Sequence, residues 1–244
     1  MRIRQEFIAV FIIATIAITI AFVALGNQKA TPTFTIPDNG ITVIIDPGHG
    51  GVDGGAVGYD KKTIEKDINL SISLKLRDFL IVGGYNVIMT REDDRLINDE
   101  GIKTIKKQKT SDLKNRLNII NEHPEAILIS VHQNKFTKSK YNGAQVFYGR
   151  KNTDSEILAQ AIQDSFRSLL QPDNSREVKK TGKEIYLLYH SEIPSVMVEC
   201  GFLSNPEECE LLKTDDYQNQ VAFTIYAGLS KYIEKCKTGA AENS

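Results

Sequence analysis

The sequence predicts an α/β fold: one domain with a largely parallel, twisted sheet flanked by helices on both faces. Three observations predict it. From Ile41 onward, short apolar runs of strand length alternate with longer segments of helical period. Gly83-Gly84 and Pro172 punctuate the junctions. No internal repeat or low-complexity tract interrupts the alternation, so one domain is expected over about 41–236.

Each element follows in order. Ile41–Asp46 is a short apolar strand. Thr63–Leu80 spaces Ile64, Ile68, Ile72, Leu76 and Phe79 at a helical period, with Thr63 as N-cap, and Gly83-Gly84 stops the helix. Tyr85–Thr90 reads as a second strand. Ser111–Glu122 is a helix with Leu113, Leu117 and Ile120 on one face. Ala126–His132 and Ala144–Gly149 are strands, and Asp154–Leu170 is a helix ended by Pro172. Ile185–Tyr189 and Ser195–Cys200 read as strands, and two helices follow, the last near Tyr217–Glu234. Consecutive strands separated by whole helices favour parallel pairing by crossover.

A different object precedes the domain. Phe7–Leu25 holds 17 apolar residues in 19 positions behind Arg2 and Arg4, with only Thr15 and Thr19 as polar interruptions. A basic start followed by such a run reads as a secretory signal or a membrane anchor over residues 1–26. The positive flank places the N-terminus in the cytoplasm and the rest of the chain outside. Residues 27–40, with Pro32 and Pro37, read as a linker, and 237–244 as a short tail. Only eight residues follow Cys236, so no appended carbohydrate- or peptide-binding module is expected.

The charge is balanced, with 30 basic and 31 acidic residues, which argues against a nucleic-acid binder. Cys200, Cys209 and Cys236 form neither a disulfide framework nor a cysteine zinc site. Buried small hydrophobes are the default reading, with a Cys200–Cys209 bridge left open.

Of the four histidines, His49 and His132 fall at the carboxyl ends of strands, where α/β sheets gather functional groups. His123 reads as structural or exposed, and His190 is ambiguous. Two imidazoles and one carboxylate make an open zinc site, and Glu65, in the first turn of its helix, is the candidate third ligand. An acid at a helix N-terminus also suits the dipole without any metal. The glycine-rich stretch Gly48–Gly58 fails as a phosphate loop: Asp53 stands where the dinucleotide fingerprint needs Gly or Ala, and no Gly-Lys-Ser/Thr follows. Glu199, in an otherwise apolar strand, is a general-base candidate or half of a structural ion pair.

These residues carry a resemblance. Ile45-Asp46-Pro47-Gly48-His49-Gly50-Gly51, Glu65-Lys66-Asp67, Thr90-Arg91, Ser130-Val131-His132-Gln133-Asn134, Gly143–Tyr148 and Pro194–Asn205 occur in order across nearly the whole domain. The set resembles the zinc-dependent N-acetylmuramoyl-L-alanine amidases of the amidase_3 type. The resemblance implies one zinc ion on His49, Glu65 and His132, and Glu199 as the catalytic glutamate. It implies hydrolysis of the amide between the lactyl group of N-acetylmuramic acid and L-alanine, with Glu199 moving the proton from water to the departing amine. Gln133 stands where the family usually has a small residue, and an altered pocket wall is the expected consequence.

The layout looks most like the spore-cortex, germination-specific members, which act in cortex maturation before muramic-lactam formation. That places the protein at the outer face of the cytoplasmic membrane, in the cell wall or in the forespore intermembrane space. A vegetative wall amidase used in cell separation is the alternative. A catalytically silent peptidoglycan-binding scaffold is the alternative of another class. Arg91–Thr110 exceeds the family's shortest members and divides into an acidic and a basic half. It reads as a solvated loop, or as a lid or docking surface for a regulatory protein.

Overall fold

The computed structural model describes residues 38–242. The expected export segment and nearly all of the expected linker lie outside the described residues. No helix among the described residues is long and apolar enough to cross a membrane.

Six strands form one sheet: β1 (Thr42–Pro47), β2 (Asn86–Met89), β3 (Ile127–Asn134), β4 (Gln145–Tyr148), β5 (Lys179–Lys180) and β6 (Ser195–Phe202). Their order is β2-β1-β3-β6-β4-β5. The first four run parallel, β4 runs antiparallel to β6, and β5 pairs parallel with β4. The sheet is therefore largely parallel, as expected.

The helices are α1 (Glu65–Val82), α2 (Ile105–Asn121), α3 (Asp154–Leu169), α4 (Tyr186–His190), α5 (Pro206–Leu212) and α6 (Asp215–Glu242). One sheet face carries Val43, Ile45, Ile129 and Val198 into a core with Ile72 and Leu76 of α1, Ile162 of α3 and Ile225 of α6. The other carries Ile44, Leu128 and Met197 against Ile120 of α2 and Leu188 of α4. Central strands covered on both faces account for their near-continuous apolar spelling. Burial of each such side chain contributes about 1.5–3 kcal/mol. Gly228 lets α6 approach α3, since a Cβ there would lie 2.6 Å from Ile162 Cα.

The structure corrects several elements. Ile185–Tyr189, expected as a strand, is the short helix α4; an apolar run of five residues carries no period that separates the two states. Helix α2 starts at Ile105, not Ser111, because its first turns are polar and exposed. The exposed two-residue strand β5 has no apolar signal at all. Thr63 is not the cap of α1: Ile64 occupies that position, while Thr63 Oγ1 donates to Asp60 Oδ2 at 2.7 Å. Helix α6 runs through most of the expected tail. Cys200 and Cys209 are buried free thiols, which closes the disulfide alternative, and Cys236 is exposed.

Candidate metal centre and active site

The site is built at the carboxyl ends of β1, β3 and β6. Beyond β1 the chain turns through Pro47-Gly48-His49, with His49 at φ 64°. A β-carbon-bearing residue rarely adopts that conformation, so the loop must be held from outside. Two buried arginines do this. Arg91 Nε donates to Pro47 O at 2.9 Å and its Nη2 to Gly48 O at 3.0 Å. Arg116 Nη1 donates to Pro47 O at 2.9 Å and its Nη2 to His49 O at 2.7 Å.

Arg116 is itself anchored by charge. Its Nη1 lies 2.6 Å from Asp46 Oδ1 and its Nε 2.8 Å from Asp112 Oδ2. Asp46 also accepts from Thr90 Oγ1 at 2.7 Å and Ser130 Oγ at 2.6 Å. Burial acts to raise the Asp46 pKa, but Arg116 and these hydroxyls outweigh it and hold the group at about 2.

Three side chains converge above this base. Glu65 Oε1 lies 3.2 Å from His49 Nε2 and 2.9 Å from His132 Nδ1. One ligating atom from each residue lies within 4.8 Å of the other two. The imidazole rings meet edge to face at 5.0 Å. Glu65 reaches the site because α1 begins beside it, with Ala56 N donating to Oε2 at 2.7 Å and Gln133 N to Oε1 at 3.2 Å. Burial opposes its ionisation, yet contact with both histidines holds the carboxyl well below its usual range. Burial likewise acts to lower His49, and its hydrogen bonds to Asp53 and Glu65 override it, raising the pKa to about 9.

The donor set fits a zinc ion. Two imidazole nitrogens and one carboxylate oxygen face a common point, the composition of an open three-ligand site. Small residues make room: a Cβ on Gly48 would strike the His132 ring, and one on Gly55 would strike Glu65 and His49. Asp53 Oδ2 sits 2.9 Å from His49 Nδ1, which leaves Nε2 to face Glu65.

Glu199 stands opposite His132 in the β3–β6 register. Its Oε2 is buried and has no hydrogen-bond partner among the described residues. Burial pushes its pKa up to about 7, with the histidines opposing the rise and Glu65 adding to it. It forms no ion pair among the described residues. A cavity of ≈ 230 Å³ opens beside the histidines, with Leu113, Tyr186, Leu188 and Met197 among its walls and Asp46, Ser130 and Arg116 also lining it.

The structure also places the remaining residues. Gln133 does not line this cavity: it is 3 % exposed, and its Nε2 donates to Asn69 Oδ1 at 3.2 Å. Strand alternation sends it to the face opposite His132. His190 lies exposed at the end of α4, its ring tilted against that of Tyr186, and takes no part in the cluster. The reading from sequence missed Arg116 and Asp112. Their signal was present, since both fall on the helical face of Leu113, Leu117 and Ile120, where a charge has no place unless paired.

Residues 43–231 match the Amidase_3 family, described as N-acetylmuramoyl-L-alanine amidase. The chain is 39% identical over 208 residues to the germination-specific N-acetylmuramoyl-L-alanine amidase of Bacillus subtilis (strain 168), covering 85% of this chain and 86% of that one. It superposes on the CwlD amidase from Clostridioides difficile, solved in complex with the GerS lipoprotein, with a TM-score of 0.77 and 46% identity, over 80% of this chain and 98% of that one. The catalytic domain of CwlV, an N-acetylmuramoyl-L-alanine amidase from Bacillus (Paenibacillus) polymyxa var. colistinus, gives a TM-score of 0.66 and 28% identity over 80% and 98% of the two chains.

Proposed function

The chain belongs to the Amidase_3 family of N-acetylmuramoyl-L-alanine amidases, and from that premise we propose that His49, Glu65 and His132 hold one zinc ion while Glu199 moves the proton. The observation that carries the reading is Glu65 Oε1 standing between two imidazole nitrogens, with the unpartnered Glu199 on the neighbouring strand.

The enzyme is a peptidoglycan amidase. When bound, zinc supplies a Lewis acid that polarises the scissile carbonyl and acidifies water. Asp53 fixes the His49 ring so that Nε2 points inward. Glu199, unpaired and near neutrality, takes the proton from the attacking water and returns it to the nitrogen that leaves. The water oxygen bonds to the lactyl carbonyl carbon, the C–N bond breaks, and L-alanine departs as a free amine with its stem peptide. The apolar walls of the cavity limit water around the reacting carbonyl.

The likeness to a germination-specific enzyme supports a role in spore-cortex maturation, and the basic start and apolar run of residues 1–26 support export to the outer side of the cytoplasmic membrane. A protein partner is part of the same reading, since the Clostridioides difficile neighbour was solved bound to a lipoprotein. Its docking surface is the outer side of residues 103–107, where Lys103, Lys106 and Lys107 are exposed and Ile105 is 57% exposed. The inner part of Arg91–Thr110 is not a free lid: Asp94 Oδ1 accepts from Gly51 N at 2.7 Å and ties it to the histidine loop.

Glu199→Gln tests the central assignment. One zinc per chain is retained, and release of stem peptide from purified cortex falls by about 10²–10⁴-fold. Peptide release at the wild-type rate would remove Glu199 from its role.

A further inference from the structure

A second cavity of ≈ 230 Å³ lies beyond Glu199 on the β4–β5 side of the sheet. The β4–β6 register sets Gln145 opposite Glu199, and the β3–β6 register sets His132 opposite Glu199. Paired residues share a sheet face, so His132, Glu199 and Gln145 form one row across three strands, and Gln145 lines the second cavity. Any substrate held at Glu199 can therefore reach into it.

Its walls combine rings and cations. Phe136 and Tyr141 meet edge to face at 5.1 Å and are 50% and 36% exposed, while Phe202 is buried behind them. The Arg176 guanidinium lies 4.4 Å from the Phe202 ring centre and 5.9 Å from that of Tyr141. Its Nε donates to Asn142 O at 2.8 Å and its Nη1 to Gln145 Oε1 at 3.2 Å, whereas Nη2 makes no hydrogen bond among the described residues. The fork is thus fixed from behind and presents one free edge. Lys179 lines the same cavity, and Lys135, Lys138 and Lys140 are exposed on the loop that forms its outer wall.

None of these five cations forms an ion pair among the described residues, although the whole chain carries a net charge of -1. No acid lines the cavity. Glu208, the buried acid whose charge acts on Arg176, makes no ion pair with it and instead accepts from Phe202 N at 2.7 Å and Gly143 N at 2.9 Å. A neutral glycan would leave this charge unanswered. A planar carboxylate suits a stacked, pre-oriented guanidinium.

We propose that the cleft formed by Phe136, Tyr141, Phe202, Arg176 and Lys179 is the subsite for the carboxylates of the stem peptide beyond L-alanine. The proposal rests on the amidase reading and adds a direction to it. The peptide arm runs toward β4 and β5, and the glycan arm toward the cavity beside α2 and α4.

The test compares muropeptide substrates whose carboxylates beyond L-alanine are free or converted to carboxamides. It uses wild-type enzyme, Arg176→Gln and Lys179→Gln, each loaded with zinc. Arg176→Gln is expected to raise KM for the free acid about tenfold, equivalent to about 1.4 kcal/mol, with kcat within about threefold. KM for the carboxamide stays unchanged. Lys179→Gln, at an exposed position, shifts the same ratio in the same direction by a smaller factor. Titration of the free stem peptide onto each protein supplies a reading independent of turnover. Equal KM ratios in all three proteins, with cleavage intact, would overturn the subsite and leave the amidase standing. Arg176-dependent peptide binding without cleavage by the wild type would support the subsite and overturn the amidase reading.

Discussion

Asp53 holds His49 through Nδ1 at 2.9 Å, on the side of the ring away from Glu65. Its other oxygen accepts from Lys109 Nζ at 2.9 Å, so the first turns of α2 reach His49 through a single carboxylate. The same segment returns to the loop through Arg95, whose carbonyl lies where a Cβ on Gly50 would be. The stretch between β2 and α2 is therefore part of the apparatus that orients His49.

Asp53→Ala is expected to weaken zinc about 10–100-fold while leaving the fold intact, because the imidazole loses the acceptor that fixes its tautomer and orientation. Competition with a chromogenic chelator measures this. Lys109→Met, which removes only the exposed outer member, produces a smaller shift in the same direction. Unchanged affinity in Asp53→Ala would mean that backbone contacts alone orient His49.

Acid stability reports on Asp46. Its pKa falls from 3.8 to about 2 on folding, since Arg116, Ser130 and Thr90 together outweigh the cost of burial. A depressed native pKa stabilises the fold fully above the unfolded value and loses that stabilisation as pH drops through the native one. The contribution is about 2 kcal/mol, present above pH ~4 and gone below pH ~2. Asp46→Asn removes it and also leaves Arg116 short of one partner. The gap between wild-type and variant urea midpoints is therefore wide at pH 6 and narrows toward pH 2. A gap independent of pH would show that Asp46 acts only by packing.

Most of the elements were readable in the sequence, and the four proposed site residues came from the ordered motifs of the family resemblance, since position alone left Glu65 and Glu199 with structural alternatives. The apolar spelling of β1, β3 and β6 follows from burial on both faces, and strand ends mark where His49 and His132 sit. The support behind them was less visible. Asp46, Thr90, Arg116 and Ser130 lie 26 to 84 residues apart in their hydrogen-bonded pairs, so no window of sequence contains the cluster. Helix α4 was misread because its five residues place Leu187 and Leu188 side by side in the core, a pattern equally suited to a strand.

Removal of the metal tests whether the site is a structural keystone or a loaded tool. In a small zinc-folded domain the ligands have no other partners, and chelation unfolds the chain. Here Glu65 keeps Ala56 N, Gln133 N and both histidines as partners without any ion. His49 keeps Asp53, and its loop carbonyls keep Arg91 and Arg116. The cores on both sheet faces include none of His49, Glu65 and His132. Treatment with a chelator is therefore expected to abolish peptide release while far-ultraviolet circular dichroism stays unchanged. The thermal midpoint falls only by the linkage amount, about 2.7 kcal/mol of stability for zinc present at 100 times its Kd. Activity returns on adding zinc back without a refolding step. Loss of secondary structure on chelation, or recovery only after denaturation and refolding, would show that the ion holds the loops after β1 and β3 in place.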